Sequence, residues 1–491
     1  MKQPLYPLLN QANTRVWLTD LSTELGRVAT LDDIPDCALD VFKEMGFDWI
    51  WMLSVWCTGE QGQMISRNNP VWRHAFKETL SDLTEEDIGG SGFAIADYHV
   101  HPDLGGDEAL KRLRERLAAR GLKLMLDFVP NHMGPDHPWV SEHPEYFISS
   151  TEYDLQNNPL NYTWVNTKQG ERIMAYGRDP YFDGWPDTVQ LDYSHPAVVE
   201  AMTNELLHIA GQCDGVRCDM AMLILPDVFG KTWGRNAMSF WPEAMMAVRQ
   251  QHPDFCFMAE VYWDMEWTLQ QLGFDYTYDK RLYDRLHEGF AKTVREHFHA
   301  RLDYQGKLVR FLENHDESRI AATLDQPQHE AAAVISFLSP GMRFFHQGQF
   351  EGKNKKISPH LIRAPKESLD AGMQKFYSSL LAILKQPIFR DGHWQLLECT
   401  PAWEGNDTWE SFVAFAWEGA ERKLALVVIN YAPHDGQCYL KIPMMEKGFG
   451  HWELKDIMNP VTYSRDNHDL LTKGLYLGMK PWQYHVFKVR K

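Results

Sequence analysis

The sequence predicts an α/β chain: a TIM (β/α)8 barrel with an inserted subdomain after its third strand, followed by a C-terminal antiparallel β-sandwich domain. Three observations carry this. Short apolar strands alternate with amphipathic helices from Thr14 to about Pro387, and they count out to eight strand–helix pairs, the pattern of a closed parallel barrel. The segment from His132 to His195 is polar, aromatic and turn-rich, too long for a plain connection. After Pro387 the pattern changes to short alternating runs separated by turn residues, as in antiparallel sheets. The predicted division is a barrel over 1–387, containing the 132–195 insertion, and a sandwich over 388–491. A doubly wound open sheet is the competing arrangement, but no Gly-rich phosphate loop follows the first strand.

In chain order, a strand is predicted at Thr14–Asp20, a helix at Asp33–Met45 and a strand at Asp48–Ser54. An insertion rich in Gly, Asp and Ser, Val55 to Gly105, precedes the helix Asp107–Arg120. Leu122–Val129 reads as a buried strand and Ala197–Ala210 as a helix. The alternation resumes with strand Gly215–Cys218, helix Pro242–Gln251, strand Cys256–Val261 and helix Trp267–Leu272. Asp275–Tyr278 is a short strand leading into a helical region that reaches Leu302. Strand Leu308–Glu313, helix Glu330–Leu338, strand Met342–His346 and helix Leu369–Lys385 complete the barrel. In the tail the predicted strands are Phe412–Trp417, Lys423–Asn430, Cys438–Ile442, Trp452–Asp456 and Tyr484–Val489.

The formal net charge of −18 argues against nucleic-acid or anionic-membrane partners and predicts a substrate that is not strongly anionic. The 18 Trp are many, and aromatic faces suit sugar rings. The seven Cys show no paired spacing and read as reduced thiols. Met1 leads into Lys2-Gln3-Pro4-Leu5 without an apolar signal segment, and no run of about 18 apolar residues occurs, so the expectation is a soluble, cytoplasmic protein.

In a barrel of this kind the chemistry sits at the carboxyl ends of the strands. Those ends carry Asp127, Asn131 and His132 after the third strand, Arg217 and Asp219 after the fourth, Glu260 after the fifth, and Asn314, His315 and Asp316 after the seventh. In Gly215-Val216-Arg217-Cys218-Asp219 the Arg and Asp are two apart, so on a strand both face the same side, and the cation favours the ionised carboxylate. That pair alone fits a nucleophile or a structural ion pair equally well. Asp219, Glu260 and Asp316, with Asp127 and two histidines around the same bowl, are the equipment for glycoside cleavage with retention.

The segments Leu126-Asp127-Phe128-Val129-Pro130-Asn131-His132, Gly215-Val216-Arg217-Cys218-Asp219, Ala259-Glu260-Val261 and Phe311-Leu312-Glu313-Asn314-His315-Asp316 resemble the four ordered motifs of the α-amylase family, glycoside hydrolase family 13. The resemblance covers Thr14 to about Pro387, and the tail resembles that family's C-terminal β-domain. It implies Asp219 as the nucleophile held ionised by Arg217, and Glu260 as general acid and then base, with a raised pKa. It implies Asp316 as the residue that hydrogen-bonds the sugar hydroxyls at C2 and C3. His132 and His315 would bind hydroxyls in the same subsite, while Asp127 would brace Arg217. Gly92-Phe93-Ala94-Ile95-Ala96-Asp97-Tyr98 resembles the segment after the second strand, which places Phe93 and Tyr98 with the substrate-binding residues.

Departures from the family pattern bear on specificity. Phe93 keeps an aromatic platform and loses a hydroxyl, and Ala94 replaces the Asp that grips the terminal sugar in members trimming chain ends. Val189-Gln190-Leu191-Asp192 carries Gln190 where calcium-binding relatives have an Asp, and Asn131 is neutral, so no cofactor is expected to be required and a structural calcium is disfavoured. Gln349 replaces an acid on the eighth strand. Met220-Ala221-Met222 stands where many amylases have Lys and His, which predicts more apolar acceptor subsites. Tyr162, Trp164, Tyr181 and Trp185 are candidates for stacking on glucose units, whereas Trp49 and Trp51 read as barrel packing. Glu313 reads as a solvated or locally paired acid, and His99 and His101 as a solvent-facing extended segment.

The expected function is a retaining α-glycosidase acting on α-1,4-glucans or maltooligosaccharides through a covalent glucosyl-enzyme. A retaining α-glucosyltransferase or phosphorylase on the same scaffold is the alternative, and a non-catalytic sugar-binding protein a remoter one. Linkage, chain length, endo or exo action and oligomeric state stay open.

Overall fold

A computed structural model describes residues 3–444 and 450–490; Met1 and Lys2 of the expected signal-free start lie outside the described residues. Eight parallel strands close the barrel: β1 (Leu8–Asn13), β2 (Trp49–Leu53), β3 (Lys123–Phe128), β4 (Gly215–Cys218), β5 (Cys256–Ala259), β6 (Tyr276–Tyr278), β7 (Leu308–Arg310) and β8 (Met342–His346). Each pairs with its neighbours in sequence, and β1 closes the ring against β8 with Leu8 opposite Arg343.

The first strand corrects the sequence reading. Thr14–Asp20 is not a strand but the start of the helix Thr14–Leu25, and β1 is the preceding Leu8–Asn13. Its buried Asn10, Gln11 and Asn13 interrupt the apolar pattern, which is why it was passed over. Asn13 ends the strand and starts the helix, its side chain accepting from the Val16 amide at 3.3 Å. The single helical region read up to Leu302 is three helices, Lys280–Glu288, Ala291–His297 and Leu302–Gln305. The other barrel elements fall within a few residues of expectation.

Two excursions wall the carboxyl-end face. Between β2 and β3 the strands Trp56–Thr58 and Ile95–Val100 pair antiparallel, and two helices, Glu60–Asn68 and Pro70–Thr79, lie between them in sequence. Between β3 and β4 the insertion is a subdomain with a ribbon, Tyr162–Thr167 against Gly170–Ala175, and a short base pairing of His132–Met133 with Val189–Gln190.

After Pro387–Asp391 the tail forms a six-stranded and a three-stranded antiparallel sheet. His393–Leu396, Cys399–Pro401, Thr462–Asp466 and Leu475–Met479 are strands that the sequence reading missed. The larger sheet is buried on both faces along its centre. Val413, Phe415 and Trp417 pack with the barrel core, while the alternate residues Phe412, Ala414 and Ala416 pack against the small sheet. Trp417 donates its indole N–H to the Leu338 carbonyl at 2.7 Å and meets Tyr6 edge-on. Among the described residues no helix is long and apolar enough to cross a membrane.

Trp417 thus pins tail to barrel. Trp417→Ala is expected to destabilise the protein by about 3–5 kcal/mol, read as a lower midpoint in denaturant unfolding followed by tryptophan fluorescence and circular dichroism.

Candidate active site

The four acids and Arg217 meet at the carboxyl ends of β3, β4, β5 and β7. Arg217 is fully buried and never reaches solvent. Its Nη1 lies 2.7 Å from Asp219 Oδ1 and 3.9 Å from Asp127 Oδ1, and its Nη2 lies 2.7 Å from Glu260 Oε2 and 3.7 Å from Asp316 Oδ2. Asp219 and Glu260 therefore sit on the two terminal nitrogens of one guanidinium. The rings of Trp51 and Phe93 lie 5.4 and 5.3 Å from that guanidinium, shielding it from water. Trp51 is thus the floor of the bowl as well as barrel packing.

Burial raises the pKa of Asp219 in spite of Arg217, so the guanidinium offsets desolvation rather than depressing the carboxyl below its ordinary range. Burial raises Glu260 further, to about 7, with Arg217 opposing and the charges of Asp219 and Asp316 adding to the rise. Glu260 is also gripped by two donors, the Met220 amide to Oε2 at 2.7 Å and the Tyr262 hydroxyl to Oε1 at 3.0 Å. Met220 presents that amide because its backbone is left-handed, with φ of 40°. Neither Met220 nor Tyr262 was singled out for this from sequence; the signal, had it been weighed, was position beside the two acids.

Asp316 takes the opposite course. Burial opposes its ionisation, but His315, Arg217 and Lys356 outweigh it and hold the carboxyl well below the usual range. His315 Nε2 is 3.0 Å from Asp316 Oδ2, and its Nδ1 is 2.9 Å from Gln11 Nε2, whose amide fixes the ring. Phe93 stacks on that ring at 5.2 Å between centroids. Gly92 permits this: a Cβ there would lie 2.0 Å from Ser54 Oγ.

The remaining predicted residues divide. Asp127 is buried, accepts from the Ser54 amide at 3.2 Å and takes its place behind Arg217. His132 is buried against Trp185, and burial lowers its pKa to about 3, leaving it neutral. Tyr98 does not line the cleft: it is buried, and its hydroxyl is bound to the Val129 carbonyl and amide at 3.1 and 3.0 Å. It acts through the β3 loop and does not touch a ligand. Ala221 and Met222 are likewise core, leaving only Met220 half-buried near the cleft. Glu313 is buried rather than solvated, paired to Arg319 at 2.6 Å. His99 is exposed as expected and pairs with Asp107.

The aromatic candidates scatter. Trp164 is exposed on the insertion ribbon, and Tyr162 and Trp185 are half-buried. Tyr181 meets Trp263, a residue overlooked in sequence, edge-on at 5.0 Å. Trp263 and Asp264 both carry positive φ, 63° and 60°, in the turn that follows Glu260, and the indole is exposed. Lys231 locks Tyr181 by a 2.8 Å bond to its hydroxyl.

A family model for the α-amylase catalytic domain matches residues 30–379. The chain belongs to the α-amylase family. Within that family it is 24% identical over 309 residues to α-amylase 3 of Dictyoglomus thermophilum, covering 58% of each chain. It is 27% identical over 267 residues to an α-1,4-glucan:maltose-1-phosphate maltosyltransferase of Burkholderia pseudomallei, covering 52% of this chain and 20% of that one. The matched segments thus span less than two thirds of those curated relatives. In fold it is similar to the noncanonic maltogenic α-amylase AmyB of Thermotoga neapolitana, with a TM-score of 0.70 at 18% identity and 99% of both chains covered.

The calcium position of this α-amylase-family chain can be tested directly. Gln190 is buried, and its Nε2 donates to the Asn131 carbonyl, the Asn131 Oδ1 and the Leu191 carbonyl at 2.9, 3.0 and 3.0 Å. The amide turns its hydrogens toward the oxygens a cation would need, and Asp192 is paired with Arg235. The residues present do not fit a calcium ion.

The raised Glu260 carries a stability consequence. Its protonated form is favoured in the folded state, so its contribution is complete below pH about 4.5 and is lost as pH rises through about 7. The melting temperature of the wild type is expected to fall more steeply between pH 5 and 8 than that of Glu260→Gln, measured by scanning calorimetry across that range.

Proposed function

We propose that the chain is a retaining α-glycosidase of the α-amylase family, acting on α-1,4-linked glucans or maltooligosaccharides. The observation that carries the reading is the sharing of Arg217 by Asp219 and Glu260, with Glu260 raised to about 7. One guanidinium bridges the two carboxyls and holds them close to each other, as a short-spaced retaining pair that flanks the scissile bond requires. Asp219 Oδ attacks the anomeric carbon and forms a glucosyl ester, while Glu260 gives its proton to the departing glycosidic oxygen. Glu260, now ionised, takes a proton from the water that hydrolyses the ester, and Asp219 is released. Ionised Asp316 grips the hydroxyls of the same sugar, and Phe93 lies against its ring.

A second reading has its own observation. The exposed pair Trp263 and Tyr181, on the turn that follows Glu260 in sequence and on the insertion, would offer an acceptor sugar an apolar face, which favours transfer to a sugar over transfer to water. The maltosyltransferase relatives accord with it. The protein is proposed to need no calcium at the Asn131–Gln190 junction.

Four outcomes are expected. A time course with maltoheptaose gives shorter maltooligosaccharides in buffer, and longer ones with added glucose if transfer prevails; Asp219→Asn lowers turnover by about 10³-fold or more. A variant that kept full turnover would sink the nucleophile assignment. The pH profile of kcat/KM loses activity above about 7, where Glu260 gives up its proton, and that limb vanishes in Glu260→Gln together with most of the rate. Adding a chelator leaves the melting temperature unchanged, and a calcium-dependent rise would overturn the metal-free junction.

A further inference from the structure

We infer that a cavity outside the catalytic bowl, at the carboxyl ends of β1 and β8, binds a small phosphorylated sugar. The cavity is about 410 Å³ and is lined by Arg319, Lys353 and Lys366 together with His346, Asp20 and Glu367. Its size is within the range of small-ligand sites.

Its cations stand out against the rest of the chain. In a protein of net charge −18, the segment 352–366 holds Lys353, Lys355, Lys356, Arg363 and Lys366 and no acid, and of these Lys353 and Lys366 line the cavity. The segment is anchored. Ile357 and Leu361 are buried with Val16, Phe76, Leu80 and Ile88, and the Ile362 amide donates to the Asp87 carbonyl at 3.0 Å. Gly348 draws two of the cations together. Its φ is +92°, and a Cβ there would lie 2.8 Å from Lys353 Cγ and 3.2 Å from Arg319 Nη2. Arg319 is itself 5% exposed and satisfies Glu313 and the Gln347 carbonyl through Nη1 and the Lys355 carbonyl through Nε, which leaves Nη2 for a ligand. Like charges packed side by side lower their energy when an anion joins them.

The other half of the lining selects more than a bare anion. His346, only 4% exposed, closes the cavity on the β8 side. Asp20 and Glu367 would repel free phosphate but accept hydrogen bonds from hydroxyls. A ligand that carries both a phosphoryl group and hydroxyls satisfies the cations and the acids at once. The cavity also touches the catalytic loop: Arg319 holds Glu313, and the neighbouring Asn314 Oδ1 accepts from the Asp316 amide at 2.8 Å. A bound ligand therefore bears on Asp316 without entering the bowl.

The test is calorimetric titration of the full chain, carried as Asp219→Asn and saturated with maltoheptaose, using glucose 6-phosphate, glucose 1-phosphate, glucose and inorganic phosphate as probes. A sugar phosphate should bind at least about tenfold more tightly than glucose or phosphate alone, as for hydrogen bonds to a charged group. Lys353→Ala with Lys366→Ala, both near the surface, should weaken it by about tenfold or more, with the ligand-free melting temperature checking that the fold is kept. Equal binding of inorganic phosphate, displacement of the probe by maltoheptaose, indifference to the lysine substitutions or absence of binding would each overturn the inference. None of these readouts requires turnover, so a failure of the glycosidase reading leaves this result intact.

Discussion

Everything at the mouth of the barrel depends on one buried cation. Four carboxyls converge there in a space sealed by Trp51, Phe93 and Tyr278, where an uncompensated charge is very costly. Arg217 meets Asp219 and Glu260 directly and Asp127 and Asp316 at longer range. One guanidinium cannot neutralise four acids, and the shortfall is distributed unequally. Asp316 draws on His315 and Lys356 and stays ionised, whereas Glu260, hemmed in by two other acids, keeps its proton up to about pH 7. The difference in protonation between Glu260 and Asp316 thus comes from burial, opposed at Glu260 by the charge of Arg217 alone and outweighed at Asp316 by the added charges of His315 and Lys356.

Support for Arg217 comes from the strands on either side. Asp127 stands behind it on β3, and Tyr98 ties that strand's end to the excursion after β2. Gln11 on β1 reaches across to fix the His315 ring, so the first strand positions a residue of the seventh. In the same way the Gln190 amide joins both ends of the insertion with hydrogen bonds.

Much of this was legible in the sequence, and the physical reasons are uneven. Short strands buried along their whole length, such as β4 and β8, were located to the residue because each is a compact run set off by its neighbours. β1 escaped because half of it is amide side chains that face the polar top of the barrel. The acids were found from their place at strand ends, which fixes their direction. Tyr98 was misplaced because a motif gives a residue's neighbourhood but not which way its ring turns. Met220 reads in sequence as part of an apolar acceptor stretch, but its amide's bond to Glu260 and the exposed Trp263 were not legible, because a left-handed backbone leaves no mark in non-glycine sequence. The raised pKa of Asp219 depends on depth of burial, which spacing alone does not convey.

The central strands of the tail have no outside. Phe412 through Trp417 send alternate side chains into two different cores, so a run that reads as plainly hydrophobic is two interfaces written in one line of residues. Such a strand has no spare face on which change is free: a substitution at any position is felt either by the barrel or by the small sheet. The tail behaves as a shared wall between two rooms, and the catalytic barrel is closed off at its side by a segment that carries none of its chemistry.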